Sequence, residues 1–237
     1  MTGKTPPRTP THPPTNPSGR TDKQKLKKPR DFKPSSQRWL QRQLDDPYVL
    51  AAQEAGYRSR AAFKLLQLDE KYRLLKPAMR IVDLGAAPGG WVQVALQKVG
   101  PKGRVVGIDI LPIDPIPGAT LIESDFTEDA AIDLLLQATG GEKLDVVLSD
   151  IAAGTTGHAR TDHIRIMALA ELALDFAINN LKPNGAFVCK LFLGGAEKTF
   201  MDLLKRNFKT VKNAKPAASR ADSRESYIVA QGFKGGV

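Results

Sequence analysis

From about Ser36 the chain becomes periodic, and beyond Lys76-Pro77 short β-branched apolar runs alternate with longer segments whose apolar residues recur at helical spacing. Strands are predicted at Arg80–Leu84, Arg104–Asp109, Ala119–Glu123, Leu144–Ser149, Ala186–Phe192, Thr210–Asn213 and Tyr227–Gln231. Helices are predicted near Gly90–Val99, Asp129–Gln137, His163–Asn180 and Glu197–Asn207, with an amphipathic helix, Ser59–Tyr72, ahead of the sheet. Such alternation argues for a doubly wound α/β domain, a parallel sheet covered by helices on both faces. The connection around Lys215–Glu225 has no room for a crossover helix, so the last two strands are expected to be antiparallel neighbours.

Composition changes the picture mainly at the N-terminus. Of the 237 residues, 35 are basic and 25 acidic, a net charge of +10. Residues 1–35 alone carry nine Lys or Arg against two Asp, together with eight of the 17 prolines and almost no aliphatic residues. This stretch cannot bury enough surface to offset its ordering entropy, and it is read as a disordered basic arm preceding one folded domain over residues 36–237. A basic arm favours polyanions through counterion release; composition equally suits a solubilising tail. The single cysteine excludes an intrachain disulfide scaffold. No run approaches the roughly 18 apolar residues of a membrane span, and no apolar leader with a cleavage site is seen, so a cytoplasmic protein is expected.

The strongest local signal is Val82-Asp83-Leu84-Gly85-Ala86-Ala87-Pro88-Gly89-Gly90-Trp91, an apolar strand running into a glycine-rich turn and then a helix. Glycines let a backbone approach a ligand, and the helix start offers unpaired N–H groups. The spacing matches neither G-x-G-x-x-G nor a phosphate loop ending in G-K-[ST]. Asp109 closes the second strand, where a carboxylate can accept from both hydroxyls of a ribose. Asp125 follows the third strand and can reach an adenine, or serve only as a helix cap or turn residue. Together the three strand ends describe a pocket for an adenosyl group.

Four charges fit poorly into a purely structural account. Asp150 ends the apolar run Val146-Val147-Leu148-Ser149. Lys190 interrupts Ala186-Phe187-Val188-Cys189-Lys190-Leu191-Phe192, on the face of Val188 and Phe192 by strand alternation. An unpaired ammonium there costs several kcal/mol, so Lys190 must be paired, neutral or open to a cleft. Lys64 borders the apolar stripe of its helix, and Glu225 starts the last strand after a basic loop.

These residues carry a resemblance. From about Arg38 to Lys234 the chain resembles the FtsJ/RrmJ family of ribosomal RNA ribose 2′-O-methyltransferases. Five motifs carry it in order: Tyr57 to Leu65, Asp83 to Trp91, Leu148-Ser149-Asp150, Val188-Cys189-Lys190 and Ser219 to Tyr227. The resemblance implies a Rossmann-like, S-adenosylmethionine-dependent methyltransferase fold whose seven-stranded, mostly parallel sheet has an antiparallel last strand. It places the family's catalytic tetrad on Lys64, Asp150, Lys190 and Glu225, and its cofactor contacts on Gly89, Trp91, Asp109, Asp125 and Asp150. It further implies a uridine of large-subunit (23S) rRNA as substrate, the assembled or assembling large ribosomal subunit as partner, and a monomer. After Asp150 the family usually has Ala-Pro-Asn, where this chain has Ile151-Ala152-Ala153. His158 and His163 do not share a helical face, and no metal is expected.

A ribose hydroxyl must lose its proton as a methyl group is transferred to it, and Lys190 is assigned as proton acceptor or steering group. Asp150 would orient it; Lys64 and Glu225 would position the reactants. Arg58, Arg60, Arg220 and Arg224 lie near tetrad members in sequence and are candidates for holding phosphates or for surface solubility. Two other readings compete. Asp109 also suits a nicotinamide-dependent oxidoreductase, against which stands the missing G-x-G-x-x-G. A non-catalytic ribosome-assembly factor would use the same pocket and arm to bind RNA.

Overall fold

The computed structural model describes residues 10–13, 46–151, 157–192, 198–220 and 223–235. In chain order the elements are α1 (Pro47–Glu54), α2 (Ala61–Tyr72), β1 (Arg80–Leu84), α3 (Gly90–Val99), β2 (Arg104–Asp109), β3 (Ala119–Glu123), α4 (Asp129–Thr139), β4 (Leu144–Ser149), α5 (Ala159–Asn180), β5 (Leu181–Phe192), α6 (Lys198–Asn207), β6 (Phe208–Ala214) and β7 (Glu225–Phe233). The seven strands form one sheet in the order β3-β2-β1-β4-β5-β7-β6. β3, β2, β1, β4 and β5 run parallel, and β7 inserts antiparallel between β5 and β6.

Period-two alternation divides the core. Ile81, Val105, Val146, Leu148, Val188, Tyr227 and Val229 face α1, α2 and α3. Their neighbours Val82, Val106, Val147, Phe187, Cys189, Ile228 and Ala230 face α4, α5 and α6. Both faces of the central strands are thus dry, which is why those strands read as near-continuous apolar runs.

Several boundaries moved outward from the sequence pattern. β5 begins at Leu181 instead of Ala186, passing Asn184 at a φ of 65°. Its register against β4 shifts between Leu144 and Val146, so the irregular stretch hides the early residues from an alternation test. α1 was not predicted; Asp46 caps it by accepting from the Tyr48 N–H at 3.0 Å, and Pro47 occupies its first turn. Of residues 1–35, only 10–13 lie inside the described residues: Thr11 Oγ1 donates to Glu70 Oε2 at 2.8 Å, and Gln67 Nε2 donates to the Thr11 carbonyl at 3.0 Å. The rest of the expected arm, and residues 152–156 of the divergent loop after Asp150, lie outside them.

Helix α2 ends in a buried clamp. Asp69 accepts from the Leu75 N–H at 2.8 Å and from Lys98 of α3 at 2.7 Å while only 5% exposed. Asp69→Ala leaves a buried N–H and an ammonium without their acceptor. It should lower the unfolding free energy by about 2–3 kcal/mol, read as a lower urea midpoint at unchanged slope.

Candidate active site

Helix α3 is bound along its length to the start of α2 and the turn before it. Trp91 Nε1 donates to the Ala61 carbonyl at 2.8 Å, Gln93 Oε1 accepts from the Arg58 N–H at 2.8 Å, and Gln97 Oε1 accepts from Tyr57 OH at 2.8 Å. These bonds fix Lys64, one turn into α2, relative to the glycine-rich loop. Within that loop Gly85 has a φ of 78°, and a Cβ there would stand 2.8 Å from the Cα of Ile151, so the chain leaving β4 passes directly over it.

The structure brings Lys64, Asp150, Lys190 and Glu225 together on one face of the sheet. Asp150 follows β4, Lys190 lies near the end of β5, and in the antiparallel register Lys190 faces Tyr227 while Phe192 faces Glu225. Lys190 Nζ lies 3.0 Å from Asp150 Oδ1 and donates to the Asp150 carbonyl at 2.6 Å; it is 7% exposed. Lys64 Nζ lies 2.7 Å from Glu225 Oε1, which also accepts from Ser219 Oγ at 2.9 Å. Burial opposes the charge of Glu225, but Lys64, Lys190 and the Ser219 hydroxyl together outweigh it and hold the carboxyl below its ordinary range.

Tyr227, not singled out in the sequence, joins the two ion pairs. Its hydroxyl lies 2.8 Å from Asp150 Oδ1 and 3.1 Å from Glu225 Oε1, and its ring packs on Trp91 at 5.7 Å. Burial and the two carboxylates push this phenol well above its ordinary range, so it remains a proton donor. The available signal was its spacing: two residues after Glu225, it shares that residue's face of the strand.

Beside this cluster a cleft of about 600 Å³ opens over the ends of β1, β2 and β3. Asp109, Asp125 and Asp150 line it, with Gly85, Ala87 and Leu111. Asp109 Oδ2 accepts from the Ala87 N–H at 2.9 Å and Oδ1 from the Leu111 N–H at 2.9 Å. A carboxylate has about four acceptor sites, so two remain for ribose hydroxyls. Asp125 Oδ1 accepts from the Thr127 N–H at 2.9 Å and its hydroxyl at 2.7 Å, which holds the carboxyl below its ordinary range. It is therefore a turn residue that also lines the cleft. Gly89 and Trp91 do not line it, and the Trp91 side chain is buried.

Arg58 and Arg60 are differently engaged than their phosphate-binding reading supposes. Arg60 pairs with Asp46 at 2.7 Å and donates to the Ala218 carbonyl, and Arg58 donates to three backbone carbonyls. Cys189, facing the other side of the sheet, has its thiol pushed up to about 12 by burial and is inert as a nucleophile.

Besides Ser59 Oγ and Arg60 Nε, a buried carboxyl is left over among the described residues. Asp83, fully buried at the end of β1, has no hydrogen-bond partner for either carboxylate oxygen among the described residues. Burial, then the nearby Asp150 and Asp109, push its carboxyl well above the ordinary range. Orphaned carboxylates of this kind call for an explanation, and a cationic ligand beside three acids supplies one. The residues present therefore fit S-adenosylmethionine, whose sulfonium and ammonium are positive. Because Asp83 is raised in the folded state, its contribution to stability is complete below the unfolded carboxylate range near 4 and lost as pH rises toward its folded value. Asp83→Asn should therefore raise the unfolding free energy of the ligand-free protein increasingly from pH 5 to pH 8, by up to about 1–3 kcal/mol, read from urea midpoints. The same variant should bind S-adenosylmethionine about tenfold more weakly by titration calorimetry.

The model of the FtsJ-like methyltransferase family matches residues 57–233, which span every element from α2 to β7. The chain is 59% identical over 216 residues to the ribosomal RNA large subunit methyltransferase E of Paramagnetospirillum magneticum, covering 89% of this chain and 88% of that one. It is 60% identical over 210 residues to the protein of the same name from Acidiphilium cryptum, with coverages of 89% and 92%. A solved structure described as a ribosomal RNA methyltransferase from Plasmodium falciparum superposes with a TM-score of 0.68 at 32% identity, over 76% of this chain and all of that one. With its strand order, its acid-lined cleft and its lysine–carboxylate cluster all inside the matched span, the chain belongs to the FtsJ-like methyltransferase family.

Proposed function

We propose that this chain transfers the methyl group of S-adenosylmethionine to the 2′-oxygen of a uridine ribose in large-subunit rRNA, the class of substrate named in its curated relatives. Membership in a methyltransferase family displaces the nicotinamide reading. The observation that supports catalysis most directly is the position of Asp150, which both lines the cofactor cleft and pairs with buried Lys190. A single carboxylate thereby links the cofactor end of the site to the basic group at the substrate end.

S-adenosylmethionine supplies an electrophilic methyl carbon on a positively charged sulfur. The methyl carbon would pass to the ribose oxygen as the sulfur leaves as a thioether, and Lys190, acting as the neutral amine, would receive the hydroxyl proton on Nζ. The two contacts from Lys190 to Asp150, carbonyl and carboxylate, leave its third direction for the attacking oxygen. Lys64 and Glu225, paired on the far side of Tyr227, position the ribose. Asp109 and Asp125 hold the adenosyl group, while Gly89 and Trp91 act from behind the cleft lining, Gly89 by leaving room for Ile116 and Trp91 by fastening α3 to α2.

Lys190→Ala should reduce transfer by about 10²–10⁴-fold while leaving cofactor affinity within twofold of the parent. The check is labelled methyl incorporation into unmethylated large subunits with the modified ribose mapped; normal turnover by the variant overturns the assignment. Tyr227→Phe keeps the ring on Trp91 and removes the shared hydroxyl. It should slow transfer about tenfold at saturating substrates, with cofactor affinity unchanged by calorimetry.

A further inference from the structure

Arg58 stands just before α2 in a segment whose basic residues read as phosphate anchors, yet its guanidinium is spent on backbone carbonyls. Nη1 donates to the Pro88 carbonyl at 3.2 Å and to the Asp114 carbonyl at 2.6 Å, and Nη2 donates to the Pro115 carbonyl at 2.9 Å. Pro88 belongs to the glycine-rich loop after β1. Asp114 and Pro115 belong to the connection between β2 and β3, which forms one rim of the cleft through Ile110 and Leu111. One planar cation therefore joins the two segments that flank the cofactor cleft.

The rim explains why it needs such a donor. Its sequence, Leu111-Pro112-Ile113-Asp114-Pro115-Ile116-Pro117, has three prolines in seven residues, and each removes an N–H from the local turn network. The loop is stiffened by fixed φ angles, so tying it at one point sets the whole rim. A second contact seats it: a Cβ on Gly89, at a φ of 109°, would come within 2.6 Å of Ile116 Cδ1 and 3.2 Å of Arg58 Nη1. The absence of a side chain at Gly89 lets both close on the cofactor loop. At the other end of the rim, Asp109 ties Ala87 to Leu111. Ile110 and Leu111 then stand 66% and 59% exposed over the cleft, as apolar side chains do when the surface that covers them is a ligand.

We infer that Arg58 is a positioning residue for the cofactor: by bridging Pro88 to Asp114 and Pro115 it locks the proline-rich rim onto the glycine-rich loop and so presets Ile110 and Leu111 for an adenosyl group. The inference rests on the cofactor reading above, and it separates Arg58 from RNA phosphates. Lysine cannot replace it, because a single ammonium lacks the rigid fork that reaches three carbonyls of two segments.

The test uses the full chain and its Arg58→Lys, Arg58→Ala and Ile116→Ala variants. Affinities for S-adenosylmethionine and S-adenosylhomocysteine are measured by calorimetry, and kcat and KM for large-subunit rRNA at several salt concentrations. Expected is a roughly tenfold weaker Kd for both adenosyl ligands in all three variants. The kcat at saturating cofactor should stay within twofold, and the salt dependence of the RNA KM should be unchanged. Unchanged adenosyl affinity, with an RNA KM raised about tenfold and its salt slope reduced by about one, would make Arg58 a phosphate contact and overturn the inference. If the Arg58 variants do not fold, Ile116→Ala decides alone, since it loosens the same rim from its other attachment. Failure of the parent chain to bind S-adenosylmethionine at all would instead refute the cofactor reading.

Discussion

Two lysines and two carboxylates can share the buried face of a sheet only because each ammonium has a carboxylate oxygen within 3.0 Å. Unpaired, any one of the four would cost several kcal/mol in such surroundings. The pairs are not independent, because the Tyr227 hydroxyl touches both carboxylates and can donate its one proton to only one at a time. Removing Asp150, Glu225 or Tyr227 therefore leaves more than one neighbour unsatisfied, and the cluster behaves as a unit.

The sheet order follows from that requirement. Asp150 comes from the carboxyl end of β4 and Lys190 from near that of β5, which adjacent parallel strands bring level. Glu225 and Tyr227 lie at the start of the last strand, and only an antiparallel β7 puts a strand start beside the end of β5. A fully parallel seventh strand would place both residues at the opposite edge of the sheet. Lys64 then arrives from a helix fastened to α3 through Trp91, Gln93 and Gln97, so the cofactor loop and the lysine move together.

Much of this was legible in the chain because charged residues in apolar strands have few innocent explanations. Strand alternation alone placed Lys190 on the face it occupies, and the absence of room for a crossover between the last strands announced the antiparallel pair. What stayed hidden depends on register or on where a long side chain turns. Tyr227 is an ordinary strand residue until β5 lies beside it. Asp83 sat in a motif whose glycines drew attention, although an acid between Val82 and Leu84 carries the same signal as Lys190. Arg58 and Arg60 were read from charge, which does not say whether a guanidinium faces solvent or backbone carbonyls. Helix α1 was missed despite Asp46-Pro47, a usual cap and first-turn pair.

The two ends of the site are electrostatically unlike. At the lysine–carboxylate cluster positive and negative charges balance, whereas the cleft beside it is lined by Asp109, Asp125 and Asp150 against Arg165, with Lys190 paired to Asp150. An excess of negative charge favours a cationic ligand over a neutral one of the same shape. Methyl transfer converts the one into the other, since the sulfonium becomes a thioether while the adenosyl group is unchanged. Two of these acids, Asp150 and Asp109, also push the buried Asp83 carboxyl up, so the charge that suits a cationic cofactor is the same charge that burdens the ligand-free chain.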